Sequence, residues 1–398
     1  MDMDCLQYAV EKYNTPFYVF DLDELKSRVA FFRENFSYGV DICYAIKANP
    51  FLAETMSEIT DRIEVCSMGE FEICNRLKLD PEKLLISGVL KKKADITKIM
   101  NTYGGKCSYT VESIEQLQCF ARWSEAHNER LKVYLRLTSG NQFGMDEETI
   151  ADIIGSANDY PLLEIKGIHY FSGTQKKSNK KFEKELNDLN DFCLKIEEKY
   201  GFDIGELEYG PGLAVAYFDG QRDTLQEDLD TINCALSKMK WKGKVTLEMG
   251  RGLSASCGYY MTRILDIKRN GNKNYCIVDG GIHQLNYDGQ IRGMYQPKCI
   301  YDSSKNYGEP EVWTICGSLC TANDVLIQRL ELTKPKIGDV IIFENVGAYA
   351  MTEGMSLFLS HELPAVIMYS AKSGFKIVRK EQNTYRLNME DDNNGRIN

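Results

Sequence analysis

The sequence lacks a long hydrophobic run, an excess of positive charge and a signal-like N terminus. No run approaches the roughly 20 apolar residues that a membrane-spanning helix needs. The net charge is −10, from 48 basic and 58 acidic residues, which argues against nucleic acid as the main partner because phosphate binding needs a basic face. Residues Met1 to Asp4 are acidic and lead to no apolar segment, so a secretory signal is not expected.

The thirteen cysteines form no recognisable disulfide or metal pattern. They are odd in number and scattered, and the closest pair, Cys316 and Cys320, has no second pair at a spacing that completes a zinc site. We therefore predict no bound metal, reduced thiols and a cytoplasmic location.

What the chain does contain is a regular alternation of short apolar runs and stretches of helical periodicity between residues 22 and 252. Eight such units predict a parallel sheet closed into a (β/α)8 barrel. An open, doubly wound sheet is less favoured, because no Gly-x-Gly-x-x-Gly follows the first strand. The predicted barrel strands are Ile42–Lys47, Ile63–Ser67, Leu84–Ser87, Ser108–Val111, Val133–Leu137, Ile165–Phe171, Leu207–Gly210 and Val245–Glu248.

The pattern changes after Gly252, where strand-like segments follow one another with only short helical stretches between them. These predicted strands are Tyr259–Lys268, Tyr275–Val278, Val312–Cys316, Val340–Glu344, Ala365–Met368 and Phe375–Arg379. We predict a β-rich, β-barrel-like second domain formed by residues 253–398 and completed by residues 1–21, which contain a strand at Phe17–Phe20. The polar tail from Glu390 is expected to be frayed.

One lysine stands at the end of the first predicted barrel strand, in Tyr44-Ala45-Ile46-Lys47-Ala48-Asn49-Pro50. Burial at such a position lowers the pKa of a lysine and leaves a nucleophilic amine fit for an imine. A lysine whose stem covers apolar surface while its amine reaches solvent is the alternative. Chemistry in such barrels sits at the carboxyl ends of the strands, where Lys47 would be joined by Glu64 and Glu248.

Glycines follow two other predicted strands, at Gly173-Thr174 and Gly210-Pro211-Gly212. Their backbone N–H groups suit a phosphate, although ordinary turns are the alternative. A structural ion pair with Arg251 is likewise the alternative for Glu248. A lysine, a carboxylate and a phosphate cradle at one rim together suggest pyridoxal phosphate, with the carboxylate keeping the pyridine nitrogen protonated.

Five motifs give the chain a resemblance to the fold-type III pyridoxal phosphate decarboxylases, the group that includes diaminopimelate and ornithine decarboxylases. They occur in the family's order and span nearly the whole chain. The motifs are Tyr44–Asn49, Gly167–Gln175, Glu248–Arg251, Cys316–Asp324 and Asn345–Tyr349.

The resemblance implies removal of the α-carboxylate of an amino acid, with Lys47 as the imine lysine and Glu248 at the pyridine nitrogen. Cys320 is implied to enter the active site from a second subunit of a homodimer and to return a proton to the substrate. Further positions that match cofactor-binding residues are Glu64, Arg136, Phe171, Thr174, Gly210, Gly212, Gly250, Arg251 and Tyr349.

Several departures from the family pattern bear on the cofactor and the substrate. Phe171 stands where a ring-stacking histidine is usual, and can stack but not donate a hydrogen bond. The usual Gly-Gly-Gly-x-Gly is Gly-Pro-Gly-Leu-Ala at residues 210–214, which removes one N–H, and the proline of Glu-Pro-Gly-Arg is Met249. Thr321 replaces an acidic residue that holds a distal amine in the basic-amino-acid decarboxylases.

The Arg-Pro-x-x-Tyr of diaminopimelate decarboxylases is the shorter Arg292-Gly293-Met294-Tyr295. Together with Thr321 this resembles decarboxylases of siderophore and butirosin pathways, whose substrates are conjugated or carrier-tethered. Arg292, Tyr295 and Thr321 are therefore predicted substrate contacts, with solvated surface as the alternative.

Two other functions are the alternatives to decarboxylation. An amino-acid racemase would share the cofactor and a related barrel, but racemases of this fold tend to place an arginine rather than a carboxylate such as Glu248 at the pyridine nitrogen. A small cofactor-carrier protein would lack the second domain that bears Cys320.

Overall fold

A computed structural model describes residues 1–37, 39–301 and 308–390, and the chain divides into two compact units. One unit contains residues 28–215 and 224–253, and the other contains residues 1–27, 216–223 and 254–398. The polar tail expected to be frayed falls, after Glu390, outside the described residues. Within the described residues, no helix is long and apolar enough to cross a membrane.

The first unit contains eight strands that pair in chain order and close into a barrel. Neighbouring strands are parallel, and the last pairs with the first, with Cys43 opposite Glu248. This confirms the predicted (β/α)8 barrel and excludes the open sheet. After β1 (Phe17–Asp21), the barrel strands are β2 (Asp41–Ala45), β3 (Arg62–Val65), β4 (Leu84–Ile86), β5 (Ser108–Val111), β6 (Leu131–Leu137), β7 (Leu163–Phe171), β8 (Glu206–Gly210) and β9 (Lys244–Met249).

The helices between these strands begin and end at residues suited to those positions. Ser113 accepts a hydrogen bond from the backbone N–H of Gln116, and Asp146 caps Thr149 in the same way. After α1 (Met3–Lys12) and α2 (Leu22–Asn35), the helices are α3 (Ala53–Ile59), α4 (Met68–Leu77), α5 (Lys93–Tyr103), α6 (Ile114–His127), α7 (Glu147–Gly155), α8 (Asn179–Tyr200), α9 (Leu225–Lys238) and the short α10 (Arg251–Ser254).

An ion network occupies the barrel interior at the amino-terminal ends of the strands. Arg62, the first residue of β3, pairs with the fully buried Glu208 and lies 3.3 Å from Glu206. Tyr134 donates a 2.6 Å hydrogen bond to Glu206, and its ring lies 5.0 Å from the Arg62 guanidinium. These side chains fill this end of the barrel. Each charge is paired with an opposite charge, because a buried cation such as Arg62 is costly without a partner.

The second unit is β-rich, as predicted. Its sheet has the order β14-β13-β11-β10-β1-β16-β17, with β15 pairing to β10 and β12. The N-terminal strand β1 joins this sheet, antiparallel to β10 and parallel to β16. The strands are β10 (Gly258–Asn270), β11 (Lys273–Val278), β12 (Cys299–Tyr301), β13 (Glu311–Cys316), β14 (Val325–Leu332), β15 (Val340–Phe343), β16 (Ala365–Ser370) and β17 (Gly374–Arg379).

Helix α1 and strands β12 and β14 were not among the predicted elements. Asp2 caps α1 by accepting from the N–H of Cys5, and the helix buries Leu6 and Ala9 against the apolar face of the sheet at Val19.

Candidate active site

Lys47 lies just beyond β2 rather than inside it. The strand ends at Ala45, and residues Ile46–Ala48 form a single 3-10 turn. Asn49 stabilises the next turn by accepting a hydrogen bond from the N–H of Phe51. The Lys47 side chain is 38% exposed, so the burial expected for it is wrong: the turn aims the amine at the open rim of the barrel.

Two carboxylates flank the Lys47 amine. Nζ lies 2.8 Å from Oε2 of Glu64 and 3.8 Å from Oε1 of Glu248, and both carboxylates are buried. Glu64 is on β3 and Glu248 on β9, the two strands that pair with β2. Barrel closure therefore brings together three residues that are up to 201 positions apart in the chain.

Cys66, which the sequence analysis did not select, completes this cluster. Its Sγ donates a 2.8 Å hydrogen bond to Oε1 of Glu64 and lies 3.5 Å from Nζ of Lys47. Burial, followed by the charge of Glu64, raises the pKa of the Cys66 thiol well above its usual value. The thiol is therefore a neutral donor that fixes the Glu64 carboxylate.

Glu248 is held by His169 on β7, a residue to which the sequence analysis assigns no role. The Nε2 of His169 lies 2.9 Å from Oε2 of Glu248, and both side chains are buried. Burial by itself raises the pKa of the Glu248 carboxyl, but the Lys47 ammonium and the His169 hydrogen bond outweigh it and lower the pKa to about 2. Glu248 is consequently a buried, ionised carboxylate. Alternation along the strand could have indicated His169, because residues 169 and 171 point to the same face of β7 and Phe171 was a predicted site residue.

Arg136 belongs to a neighbouring buried network. Its Nη1 donates a 3.1 Å hydrogen bond to Glu112, and its guanidinium lies 4.7 Å from the ring of Phe143. Glu112 also lies 3.9 Å from Nζ of Lys91. Burial lowers the pKa of Lys91 to about 8, although Glu112 opposes this shift. Arg136 thus lies near the carboxyl end of β6 and pairs with Glu112, and its charge also helps to lower the pKa of the Glu248 carboxyl.

The two glycine segments approach each other closely at the ends of β7 and β8. Gly212 has φ +65°, and a Cβ there would lie 2.0 Å from the carbonyl oxygen of Gly173. Gly173 has φ +136° with open space where a Cβ would be, and Thr174 next to it is exposed. Lys176 N–H donates a 3.0 Å hydrogen bond to Gly212 O, which joins the two segments. This arrangement presents backbone groups to the space above the strand ends without side-chain obstruction.

Gly210 sets the position of the Phe171 ring. A Cβ at Gly210 would lie 2.5 Å from Cδ2 of Phe171, the residue opposite it on β7. The phenyl ring therefore lies over Gly210 at the strand ends, and Gly250 and the buried Arg251 follow β9 at the same rim.

The other predicted site residues lie in the β-rich unit. Cys320 is exposed on the loop between β13 and β14, beside Thr321. The buried Asp324 holds this loop, accepting hydrogen bonds from the N–H groups of Leu319 at 2.7 Å and Ile282 at 2.8 Å. Cys320 is therefore carried on a fixed loop.

Arg292 and Thr321 line one cavity of about 1000 Å³ in this unit, together with the cations Lys273 and Arg329. Arg292 has φ +50° and is exposed. The ring of Tyr295 instead lies 5.2 Å from that of Phe218.

Tyr349 follows β15 with φ +62° and is partly buried. Its backbone carbonyl accepts the N–H groups of Thr352 and Glu353, so a tight turn carries its side chain.

Residues 22–255 match the family described as pyridoxal-dependent decarboxylase, pyridoxal binding domain. The chain belongs to the pyridoxal-dependent decarboxylases. Its cofactor is pyridoxal phosphate, and it is an amino-acid decarboxylase, a carboxy-lyase.

Among similar proteins, the diaminopimelate decarboxylase of Methanocaldococcus jannaschii is 27% identical, over 96% of this chain and 92% of its own length. The L-glutamyl-(BtrI acyl-carrier protein) decarboxylase of Niallia circulans is 25% identical, over 96% of this chain and 94% of its own length. A crystal structure of the M. jannaschii enzyme in co-complex with L-lysine has a TM-score of 0.84 and 26% identity, covering 97% of this chain and 94% of that one.

The side chains at the barrel rim of this decarboxylase fit pyridoxal phosphate. A half-exposed amine at Lys47 can reach an aldehyde, and an ionised, buried Glu248 can hold a pyridine nitrogen protonated. The glycine cradle at Gly173 and Gly212 has the bare backbone that a phosphate requires.

Gly212→Ala in this decarboxylase is expected to destabilise the fold by about 1–3 kcal/mol and to weaken cofactor binding. The new Cβ would meet the carbonyl of Gly173 and would impose a positive φ on alanine. Urea unfolding of the apoprotein and titration with pyridoxal phosphate measure the two effects. Gly220→Ala is the control, because Gly220 also has a positive φ but nothing within 4 Å of its Cβ position. Equal cofactor affinities in the two variants would contradict a cradle at Gly212.

Proposed function

We propose that this decarboxylase acts on a conjugated or carrier-bound amino acid rather than on free diaminopimelate, lysine or ornithine. The observation that carries this proposal is the cavity of about 1000 Å³ beside the Cys320 loop. Its charged lining consists of three cations, Lys273, Arg292 and Arg329, and of Asp324, whose carboxylate already accepts two backbone N–H groups. Such a lining suits a bulky or anionic distal group better than a distal ammonium.

The Niallia circulans relative supports this choice, since its name states a glutamyl group on a carrier protein as its substrate. Arg292 and Thr321 are the proposed contacts to the distal part of the substrate. Tyr295 is retained as a third proposed contact, from the loop that follows Arg292.

We assign the barrel residues as follows. Lys47 Nζ would hold the cofactor, and Glu64, fixed by Cys66, would keep that amine in place. The cofactor, when bound, supplies an electron sink for the pair released as the α-carboxylate leaves as CO2. Glu248, ionised beside Lys47 and oriented by His169, would face the pyridine nitrogen and would place fixed charge where electrons accumulate.

The remaining assignments concern the phosphate, the ring and the proton. Gly173 and Gly212 would bind the phosphate through backbone N–H groups, and the Phe171 ring would stack on the cofactor. Cys320 delivers the proton to Cα, and its fixed loop gives that thiol a defined position. Further proposed cofactor contacts are Arg136, Thr174, Gly210, Gly250, Arg251 and Tyr349.

The assembly and the location are also proposals. We propose a homodimer in which Cys320 serves the active site of the partner, domains at residues 22–252 and at 1–21 plus 253–398, and a cytoplasmic location. Support comes from the resemblance for the dimer, from the sequence pattern for the domain bounds, and from the scattered, odd-numbered thiols for the compartment.

The substrate proposal is tested by measuring CO2 release from free amino acids, from their amide conjugates and from aminoacyl groups on a carrier protein. We expect kcat/KM to be highest for a conjugate or carrier-bound substrate. Arg292→Ala should raise KM for that substrate while leaving kcat nearly unchanged, because Arg292 would contact only its distal part. Highest kcat/KM on free diaminopimelate would refute the substrate class but not the decarboxylation.

A complementation experiment tests the shared active site. Lys47→Ala and Cys320→Ala proteins should each be nearly inactive, and an equal mixture that exchanges subunits should recover about one quarter of wild-type activity. The reason is that half of the dimers are mixed, and each mixed dimer carries one intact site. The control mixes Lys47→Ala with wild type. No recovery, with exchange shown by mass spectrometry, would place Cys320 and Lys47 of the same chain in one site.

A further inference from the structure

Glu185 on α8 accepts hydrogen bonds from three side chains near the glycine cradle. Lys176 Nζ lies 2.6 Å and Tyr209 OH lies 2.7 Å from its Oε2, while Ser172 Oγ donates to Oε1. Glu185 is only 5% exposed, and Lys176 and Tyr209 are buried with it. The carboxylate is therefore fully engaged in the interior of the barrel unit.

Each of the three donors is attached to a segment that forms the cradle. Ser172 directly precedes Gly173, and Tyr209 is the second-last residue of β8. Lys176 closes the same loop, and its own N–H donates to the carbonyl of Gly212. Through these donors Glu185 is connected to both the β7 and the β8 ends of the cradle.

A second pair of hydrogen bonds joins the same two segments. The Gln175 side chain accepts from the N–H of Val215 at 2.7 Å and donates to its carbonyl at 3.3 Å. Glu185 and Gln175 therefore both connect the loops, which restricts the distance between them.

Stability alone does not explain this buried network. Burial lowers the pKa of Lys176, with Glu185 opposing the shift, so the ammonium pays a desolvation cost inside the fold. Apolar residues of similar volume commonly stabilise a fold as well as such a pair does, whereas a hydrogen-bonded network defines one geometry. That distinction points to a role in geometry.

We propose that Glu185 is a positioning residue that holds the two phosphate-binding loops at a fixed separation and thereby sets the affinity for the phosphate of the cofactor. This inference rests on the proposed placement of that phosphate at Gly173 and Gly212. Accurate positioning matters in this chain because Pro211 leaves the cradle with one backbone N–H fewer. The donors that remain must be held accurately if phosphate affinity is to be kept.

The test compares pyridoxal phosphate with pyridoxal, which lacks the phosphate, as ligands of the full-length apoprotein. We expect Glu185→Ala to raise the Kd for pyridoxal phosphate by roughly tenfold or more, and the Kd for pyridoxal by less than about twofold. Glu185→Gln, which keeps the shape and loses the charge, should lie between. A merely structural role would weaken both ligands by the same factor.

Asn190→Ala is the matched control on the same helix. Asn190 is buried and accepts hydrogen bonds from the N–H groups of Lys240 and Trp241, away from the cradle. The Asn190→Ala substitution should lower the melting temperature of the apoprotein without changing the ratio of the Kd for pyridoxal phosphate to the Kd for pyridoxal. If Glu185→Ala does not fold, Ser172→Ala and Tyr209→Phe each remove one hydrogen bond and should raise only the Kd for pyridoxal phosphate, by a few-fold.

An unchanged ratio of Kd values in Glu185→Ala, or in both single-bond variants, overturns the inference. A wild-type protein that binds pyridoxal as tightly as pyridoxal phosphate would instead overturn the placement of the phosphate. The two failures are thus separate results of one titration.

Discussion

Lys47→Ala protein should release CO2 at least roughly a thousandfold more slowly than wild type on the best substrate. The amine of Lys47 can form an imine with an aldehyde, and two carboxylates hold it in place. Borohydride reduction followed by peptide mass spectrometry should find the cofactor on Lys47 in wild type and on no residue in the variant.

Lys98→Ala is the control for this prediction, because Lys98 also pairs with a glutamate, Glu72 at 2.6 Å, but on the surface. It should keep full activity and the labelled Lys47 peptide. Labelling of Lys91 in wild type would show that the assignment to Lys47 is wrong, since burial gives Lys91 a pKa of about 8 and hence a nucleophilic form near neutral pH.

Glu248→Gln should lower kcat by about 10²–10³-fold with a much smaller change in KM, because it removes charge needed when electrons move toward the ring. Glu206→Gln is the matched control: it lies at the opposite end of the barrel interior, and should change stability but not kcat. Full activity of Glu248→Gln would contradict the assigned role.

The same carboxylate makes the free energy of unfolding of the apoprotein depend on pH in a defined direction. The folded-state pKa of Glu248, about 2, is below its ordinary value of 4.5, so ionised Glu248 contributes stability above about pH 5. That contribution is lost as the pH falls from 4.5 towards 2. Urea unfolding should therefore show the difference between wild type and Glu248→Gln shrinking over that range, and a difference that grows would be the wrong sign.

The barrel and the meeting of Lys47 with Glu248 could be predicted because both follow from strand order. Eight alternating units close a barrel, and closure makes β9 and β3 the neighbours of β2. Any side chains at the carboxyl ends of these strands then lie close together, whatever their distance in the chain.

The pairing of His169 with Glu248, and the contacts of Cys66 and Glu185, could not be predicted in the same way. Their contacts depend on the register between strands and on which face of α8 meets the barrel, and neither is written in local periodicity. Cys66 resembles any other buried cysteine in sequence. The burial expected for Lys47 was wrong because the 3-10 turn after β2, which re-aims the side chain, has no periodic signal.

The charged side chains of Arg62, Glu206 and Glu208 bear on how the substrate enters and how the products leave. They fill the interior at the end of the barrel away from Lys47, where Glu208 is fully buried. We therefore expect the substrate to enter, and the amine product and CO2 to leave, through the opposite end of the barrel, at Lys47. A bulky product that dissociates slowly from that end would then also slow the release of CO2.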